Sequence, residues 1–336
     1  MERFRYTKAT SIAQALEIGR HAKTAQQGAD VRYIAGGTTL LDLMKLDVER
    51  PVRLVDINRL GLDKVEKSAD GGLRIGALVR NSDLAHDATV ARDYRVLSEA
   101  LLSGASGQLR NMATTGGNLL QRTRCMYFRD VAMPCNKREP GSGCSAIDGE
   151  NRALAILGIS SKCIATNPSD MNVALAALEA TVQVRSVSGE RAIPFHEFHL
   201  LPGDTPHRET VLEPGDLVTH VTLPPPPAGA TSTYLKLRDR ASYEFALASA
   251  AVVVSATGGR FDHVRIAMGG VGTKPWRMTD AERALTDASV SEDTIRGVAA
   301  AALADAKPQS RNAFKVELGR RCLAQALRLA TGLAHA

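Results

Sequence analysis

Four of the five cysteines, Cys125, Cys135, Cys144 and Cys163, fall in one stretch with almost no apolar periodicity. Residues 121–162 are rich in Arg, and Pro134, Pro140, Gly141 and Gly143 rule out a long helix or strand there. A structureless segment of this length inside a compact chain is ordinarily functional or disordered, and four thiols favour function. The rest of the chain must fold around a loop that binding or cross-linking would order. The gaps between these cysteines hold nine, eight and eighteen residues, which is no ferredoxin run. Structural zinc sites usually carry close Cys-x-x-Cys pairs, and none occurs. An iron–sulfur cluster is the favoured reading. Zinc and disulfides stay open as alternatives, although five cysteines in 336 residues are too few for a disulfide scaffold. The fifth, Cys322, sits in an amphipathic pattern with Val316, Leu323 and Leu327 and reads as a small buried hydrophobe.

A glycine-rich segment precedes this loop, and another lies earlier in the chain. In Tyr33-Ile34-Ala35-Gly36-Gly37-Thr38-Thr39-Leu40-Leu41 a strand ends in two glycines and two hydroxyl residues, and a helix follows. Backbone amides freed by the glycines, with a helix N-terminus behind them, suit a pyrophosphate. The segment is neither a Rossmann fingerprint nor a P-loop, and a plain glycine turn is the alternative. Residues 113–120 repeat the chemistry through Thr114, Thr115, Gly116, Gly117 and Asn118. Two such loops could hold a dinucleotide from both sides. Asn167-Pro168-Ser169-Asp170 opens a helix, where Ser169 or Asp170 could simply be an N-cap.

Regular elements are expected on both sides of the loop. The pattern predicts helices over 12–21, 40–45, 96–102 and 171–179, and strands over 31–35, 52–57, 73–77 and 181–186. Asn81, Ser82 or Asp83 would cap a further short helix. The run Pro224 to Pro227 reads as a stiff linker between residues 1–223 and a smaller part, 228–336. Beyond it, strands are expected over 248–256 and 263–269, and helices over 280–285, 292–306 and 312–330.

Other function classes are disfavoured. The net charge is +6, but Lys and Arg are scattered and aromatics are 4%, which argues against nucleic acid. The longest apolar run, 245–256, is too short to span a membrane. The first ten residues lack an apolar signal core, so export would depend on a partner. His196-Glu197-Phe198-His199 is expected at a surface turn or strand end, and Gly270 to Lys274 at a turn after a strand. No Gly-x-Ser-x-Gly elbow is present.

Taken in order, Ala35-Gly36-Gly37-Thr38 with Leu40, Thr114-x-Gly116-Gly117-Asn118 and Pro168-Ser169-Asp170 resemble the FAD-binding subunit of the xanthine dehydrogenase and molybdenum hydroxylase family. The resemblance covers essentially the whole chain and includes Tyr234-Leu235-Lys236, Gly269-Gly270-Val271 and Pro275. It implies an α+β fold: a two-lobed FAD-binding domain of the vanillyl-alcohol-oxidase (PCMH) type, then a small α+β domain of the CO dehydrogenase flavoprotein type. It places FAD against Tyr33 to Leu41, Gly104, Thr114, Gly117, Asn118, Ser169, Asp170 and Lys236. Most members pass directly from the second glycine loop to Pro-Ser-Asp, whereas this chain inserts residues 121–165. That insertion is similar to the FAD and iron–sulfur subunit of periplasmic aldehyde oxidoreductases, where such a loop holds a [4Fe–4S] cluster. The resemblance implies Cys125, Cys135, Cys144 and Cys163 as ligands, with Arg122, Arg124, Arg129, Lys137 and Arg138 offsetting the cluster's charge. It implies partners: a [2Fe–2S] subunit, a molybdenum-cofactor subunit in a heterotrimer-like complex, and a terminal electron acceptor. Aldehyde oxidation would occur on the molybdenum subunit, with no catalytic residue here and the complex exported to the periplasm or else cytoplasmic. The alternatives are an FAD subunit of xanthine dehydrogenase or hydroxybenzoyl-CoA reductase type, or a zinc-stabilised binding module.

Overall fold

Short apolar strands separated by helices pair in parallel at the N-terminus. In the structure, a computed structural model describing residues 1–333, β1 (Arg5–Lys8), β2 (Val31–Ile34) and β3 (Arg53–Asp56) form a parallel sheet in the order β1-β3-β2. The crossovers carry the helices Ile12–Gly19 and Leu40–Lys45. Ser11 caps the first, accepting from the Gln14 amide.

A second, antiparallel sheet joins distant parts of the chain. β4 (Val65–Lys67), β5 (Leu73–Gly76), β6 (Thr181–Ser186), β7 (Gly189–Pro194) and β8 (Leu217–Leu223) lie in the order β4-β5-β8-β6-β7. Everything between β5 and β6, the cysteine loop included, therefore leaves this sheet and returns to it. Residues 121–162 contain only the single turns Met126–Arg129 and Ser145–Asp148. Cys125, Phe128, Cys135, Cys163 and Ile164 pack there with Leu43 and Val48 into a small core of their own.

After the proline run the chain enters a third, antiparallel sheet. β9 (Thr231–Leu237), β10 (Ala248–Thr257), β11 (Arg260–Gly269) and β12 (Trp276–Arg277) lie in the order β12-β11-β10-β9. β10 is apolar at nearly every position because both its faces are covered. Ala251 and Val253 belong to the core around the helix Asp170–Ala177. Ala250, Val252 and Val254 belong to the core under the helix Phe314–Thr331. Cys322 is fully buried there, as expected of a small hydrophobe.

Several local expectations need correction. Asn81 does not cap: it is the first residue of the helix Asn81–His86, whose N-cap position is Arg80. Residues 115–119 are a helical turn despite two glycines, because the Thr114 hydroxyl accepts from the Gly117 amide. The helix expected to reach residue 306 ends at Ala301. β1, β4, β7, β8, β9 and β12 are not among the strands expected from the sequence. Among the described residues no helix is long and apolar enough to cross a membrane.

Candidate functional site

The two glycine loops touch each other. A Cβ on Gly36 would lie 1.8 Å from the Met112 carbonyl oxygen, just before the second loop, so only glycine fits. Gly37 adopts φ +73°, the left-handed region that favours glycine. Arg80 stitches the loops together, donating to the Met112 carbonyl and to Asn58 Oδ1 (3.3 Å), while Asn58 Nδ2 donates to the Ala35 carbonyl (3.1 Å). The amides following Gly37 precede the first closed turn of the Leu40–Lys45 helix, so they have no helical acceptor. On the other side the Thr115 and Gly116 amides donate to the carbonyls of Val79 and Ala77 (2.9 and 2.8 Å). That fixes the second loop on the end of β5.

Between the loops lies a cleft of about 240 Å³. Tyr33, Ile34, Ala35, Gly36, Gly37, Thr38, Thr39, Leu40, Thr114 and Gly117 all line it. Six other residues expected at the cofactor do not. Leu41 packs back on Gly37 and is otherwise exposed. Asn118 accepts from the Ser169 hydroxyl (2.8 Å), and Ser169 caps the Asp170–Ala177 helix by accepting from Asn172 N (3.1 Å). Asp170 and Lys236 face each other as a buried ion pair at 2.8 Å. Lys236 also donates to the Ser103 carbonyl (3.0 Å), and the Tyr234 hydroxyl donates to Asp170 Oδ1 (2.6 Å). Gly104 packs against the Asp170 carboxylate. These polar groups are spent on one another, joining the third sheet to the glycine loops. A pyrophosphate-sized anion fits the first loop, where the amides after Gly37 are free and no side chain has room at Gly36. The second loop's amides at Thr115, Gly116 and Gly117 are already paired, so that loop only closes the far side of the cleft.

A buried charge network forms one wall of the cleft. Arg122 donates to Glu209 Oε2 (2.5 Å) and Glu49 Oε1 (2.6 Å), while its Nη2 is buried without a partner. Arg32 also reaches Glu49 (2.9 Å), and Lys137 Nζ reaches Glu209 Oε1 (3.0 Å) and the Pro206 carbonyl (2.9 Å). Burial opposes ionisation of Glu209, but Arg122 and Lys137 win and hold its carboxyl down at about 2. Arg124 and Arg129 both bind Asp42 (3.0 and 2.8 Å), and Arg138 donates to the carbonyls of Tyr127 and Phe128 (both 2.8 Å). Most of the cations expected to serve the cysteines are thus already matched by carboxylates or carbonyls.

His199 was expected at the surface, and that is corrected. It is 6% exposed and lines the cleft, with its ring edge-on to Phe195 and Phe198. Its Nε2 lies 3.3 Å from the Leu119 carbonyl, and burial holds its pKa down at about 4. Phe195 and Phe198 at helical spacing were the available signal, because they turn this short helix, which His199 directly follows, towards the core. Thr273, in the turn after β11, also reaches the cleft.

The four loop thiols line one small recess. All are free, and a bridge between the backbones of Cys135 and Cys144 holds the two limbs together. Burial pushes the Cys125 thiol up to about 12 and raises Cys144 and Cys163, so uncoordinated they stay protonated. Among the described residues no group of three or more His, Cys, Asp or Glu side chains is arranged to hold a metal ion. The donor set is nevertheless all thiol, which suits soft-metal chemistry. Lys137, Cys163 and Ala165 line both this recess and the cleft.

Residues 2–226 match the family described as the FAD binding domain in molybdopterin dehydrogenase. Residues 232–330 match the CO dehydrogenase flavoprotein C-terminal domain. The two parts together define a flavoprotein subunit of an oxidoreductase. The chain belongs to the molybdenum hydroxylase family, as its FAD-binding subunit. It is 51% identical to the aldehyde oxidoreductase FAD-binding subunit PaoB of Escherichia coli K12 over 329 residues, 97% of this chain and 98% of the relative. It is 30% identical to the alpha subunit of the 6-hydroxypseudooxynicotine dehydrogenase complex of Paenarthrobacter nicotinovorans, over 91% of this chain and 85% of that one. Among solved structures, a chain of carbon monoxide dehydrogenase from Hydrogenophaga pseudoflava superposes with TM-score 0.76 at 25% identity, covering 98% of both chains.

Proposed function

We propose that this chain is the electron-delivering FAD subunit of an aldehyde-oxidising molybdenum hydroxylase complex, and that Cys125, Cys135, Cys144 and Cys163 hold a [4Fe–4S] cluster beside the flavin. The observation that carries the reading is the wall common to cleft and recess, made by Lys137, Cys163 and Ala165. Cofactors lodged on its two sides would be separated by one layer of side chains. Four thiols line one recess and none of them forms the close Cys-x-x-Cys pair usual in structural zinc sites, which favours a cluster over zinc. The 51% identity to an aldehyde oxidoreductase FAD-binding subunit supports the substrate class.

Bound here, FAD supplies a two-electron carrier and the cluster a one-electron carrier. The chain's own residues do the holding. The free amides after Gly37 grip the pyrophosphate, the Thr114–Gly117 loop closes the other side, and the Asp170–Lys236 pair braces that second loop from behind through Ser169 and Asn118. In the complex, aldehyde becomes acid on a molybdenum-cofactor subunit, a [2Fe–2S] subunit relays electrons, and this chain passes them to a terminal acceptor. The test is iron, labile sulfide, zinc and FAD content of the purified complex. Four irons beyond those of the [2Fe–2S] partner and one FAD per chain are expected. Zinc in place of the extra iron would overturn the relay. Aldehyde oxidation by the isolated chain would overturn the division of labour.

A further inference from the structure

We propose that Lys137, with Glu209 as its counterweight, sets the reduction potential of the group held by the four cysteines. The inference rests on the cluster reading above and concerns which charge tunes that cluster. Five cations crowd the cysteine loop in sequence, but the structure disposes of them unequally. Arg124 and Arg129 share Asp42, and Arg138 is taken up by backbone carbonyls. Lys137 differs in place: it alone of the five lines both the thiol recess and the cleft. Its side chain is 9% exposed, so solvent screens it little. It is fixed by Glu209 Oε1 at 3.0 Å and the Pro206 carbonyl at 2.9 Å.

The surrounding network does not cancel. Arg32, Arg122 and Lys137 are three cations facing two carboxylates, Glu49 and Glu209, so one positive charge is left over in the wall. A cluster on four thiolates gains one negative charge on reduction. A positive wall favours that reduced state and raises the potential, and removing a negative charge from the same wall does likewise.

The test uses the intact complex with Lys137→Met, Lys137→Arg and Glu209→Gln. Iron, sulfide and FAD are counted first, and the cluster's midpoint potential is then read by redox titration with electron paramagnetic resonance. Lys137→Met is expected to shift the midpoint negative, Glu209→Gln to shift it positive, and Lys137→Arg to leave it near wild type. General loosening of the loop would move the two charge-deleting variants in the same direction. Shifts of the same sign, or no shift with full iron content, would overturn the proposal and leave the cluster reading intact. If Lys137→Met fails to retain iron, Lys137→Gln takes its place in the comparison, and a shift of the same sign as that of Glu209→Gln, or none, again overturns the proposal. A wild-type complex without the extra iron overturns both readings.

Discussion

At Gly36 and Gly37 the absence of a side chain does two separate jobs. Gly36 lets the first loop approach the Met112 carbonyl, and Gly37 supplies a φ of +73°. For Gly37→Val the backbone strain alone is about 1–2 kcal/mol, which would weaken FAD binding about tenfold if borne only by the bound state. The check is FAD retained per chain after gel filtration, and stoichiometric retention would mean the loop is misassigned. His199 makes a second prediction, of pH dependence. Its ordinary pKa of 6.5 is held at about 4 by burial. As pH falls from 6.5 towards 4, the unfolded chain takes up a proton that the folded one refuses, so stability is lost in that window. The loss approaches about 3 kcal/mol. Urea midpoints above pH 6.5 and near pH 4 should differ for wild type, and His199→Gln should flatten the difference.

Among the elements, the helix Asp170–Ala177 is buried along its whole length, so its ends must be satisfied from inside the protein. Ser169 does this while also binding Asn118 of the second loop. Ser169→Ala removes both bonds, and a loss of about 1–2 kcal/mol in chemical unfolding is expected, with weaker FAD retention. What was legible in the sequence follows the range of the forces. The Gly36-Gly37 turn after β2, the β10 run and the Ser11 cap are local, and each was read correctly. The convergence of four cysteines was legible because a proline- and glycine-rich loop with four thiols has little else to do. Arg122 meeting Glu49 and Glu209, 73 and 87 residues away, leaves no local trace. β4 is short and mostly polar (Val65-Glu66-Lys67), and β7 (Gly189–Pro194) is exposed at every position but Ile193, so neither shows an apolar pattern and their pairing comes from their neighbours.

Across the whole molecule, the cysteine loop is anchored to the C-terminal helix rather than to its own neighbours alone. Lys315, buried in that helix, donates to the carbonyls of Ala153 (3.2 Å), Leu154 (2.8 Å) and Gly270. Three carbonyl oxygens match the three donors of an ammonium group. Asn312, one turn earlier, reaches the carbonyls of Asn151 (3.3 Å), Leu154 (3.4 Å) and Ala155 (3.4 Å). Asn151 in turn donates to the Ile147 carbonyl and to Ser310 Oγ (both 3.2 Å). The limb between Cys144 and Cys163 is thus clamped by residues more than 150 positions downstream. Because β10 contributes to two cores at once, the parts on either side of the proline run should unfold together. Lys315→Met keeps the volume and removes the ammonium from the clamp, taking a donor from the buried Leu154 and Gly270 carbonyls and from the partly exposed Ala153 carbonyl. The expected loss is on the order of 3 kcal/mol, with one cooperative transition preserved. Amide exchange should quicken within residues 145–165 and stay slow in β2 and β3. Equal quickening throughout would mean that Lys315 serves only the C-terminal core, and an unchanged loop would mean that the cysteines hold their positions without it.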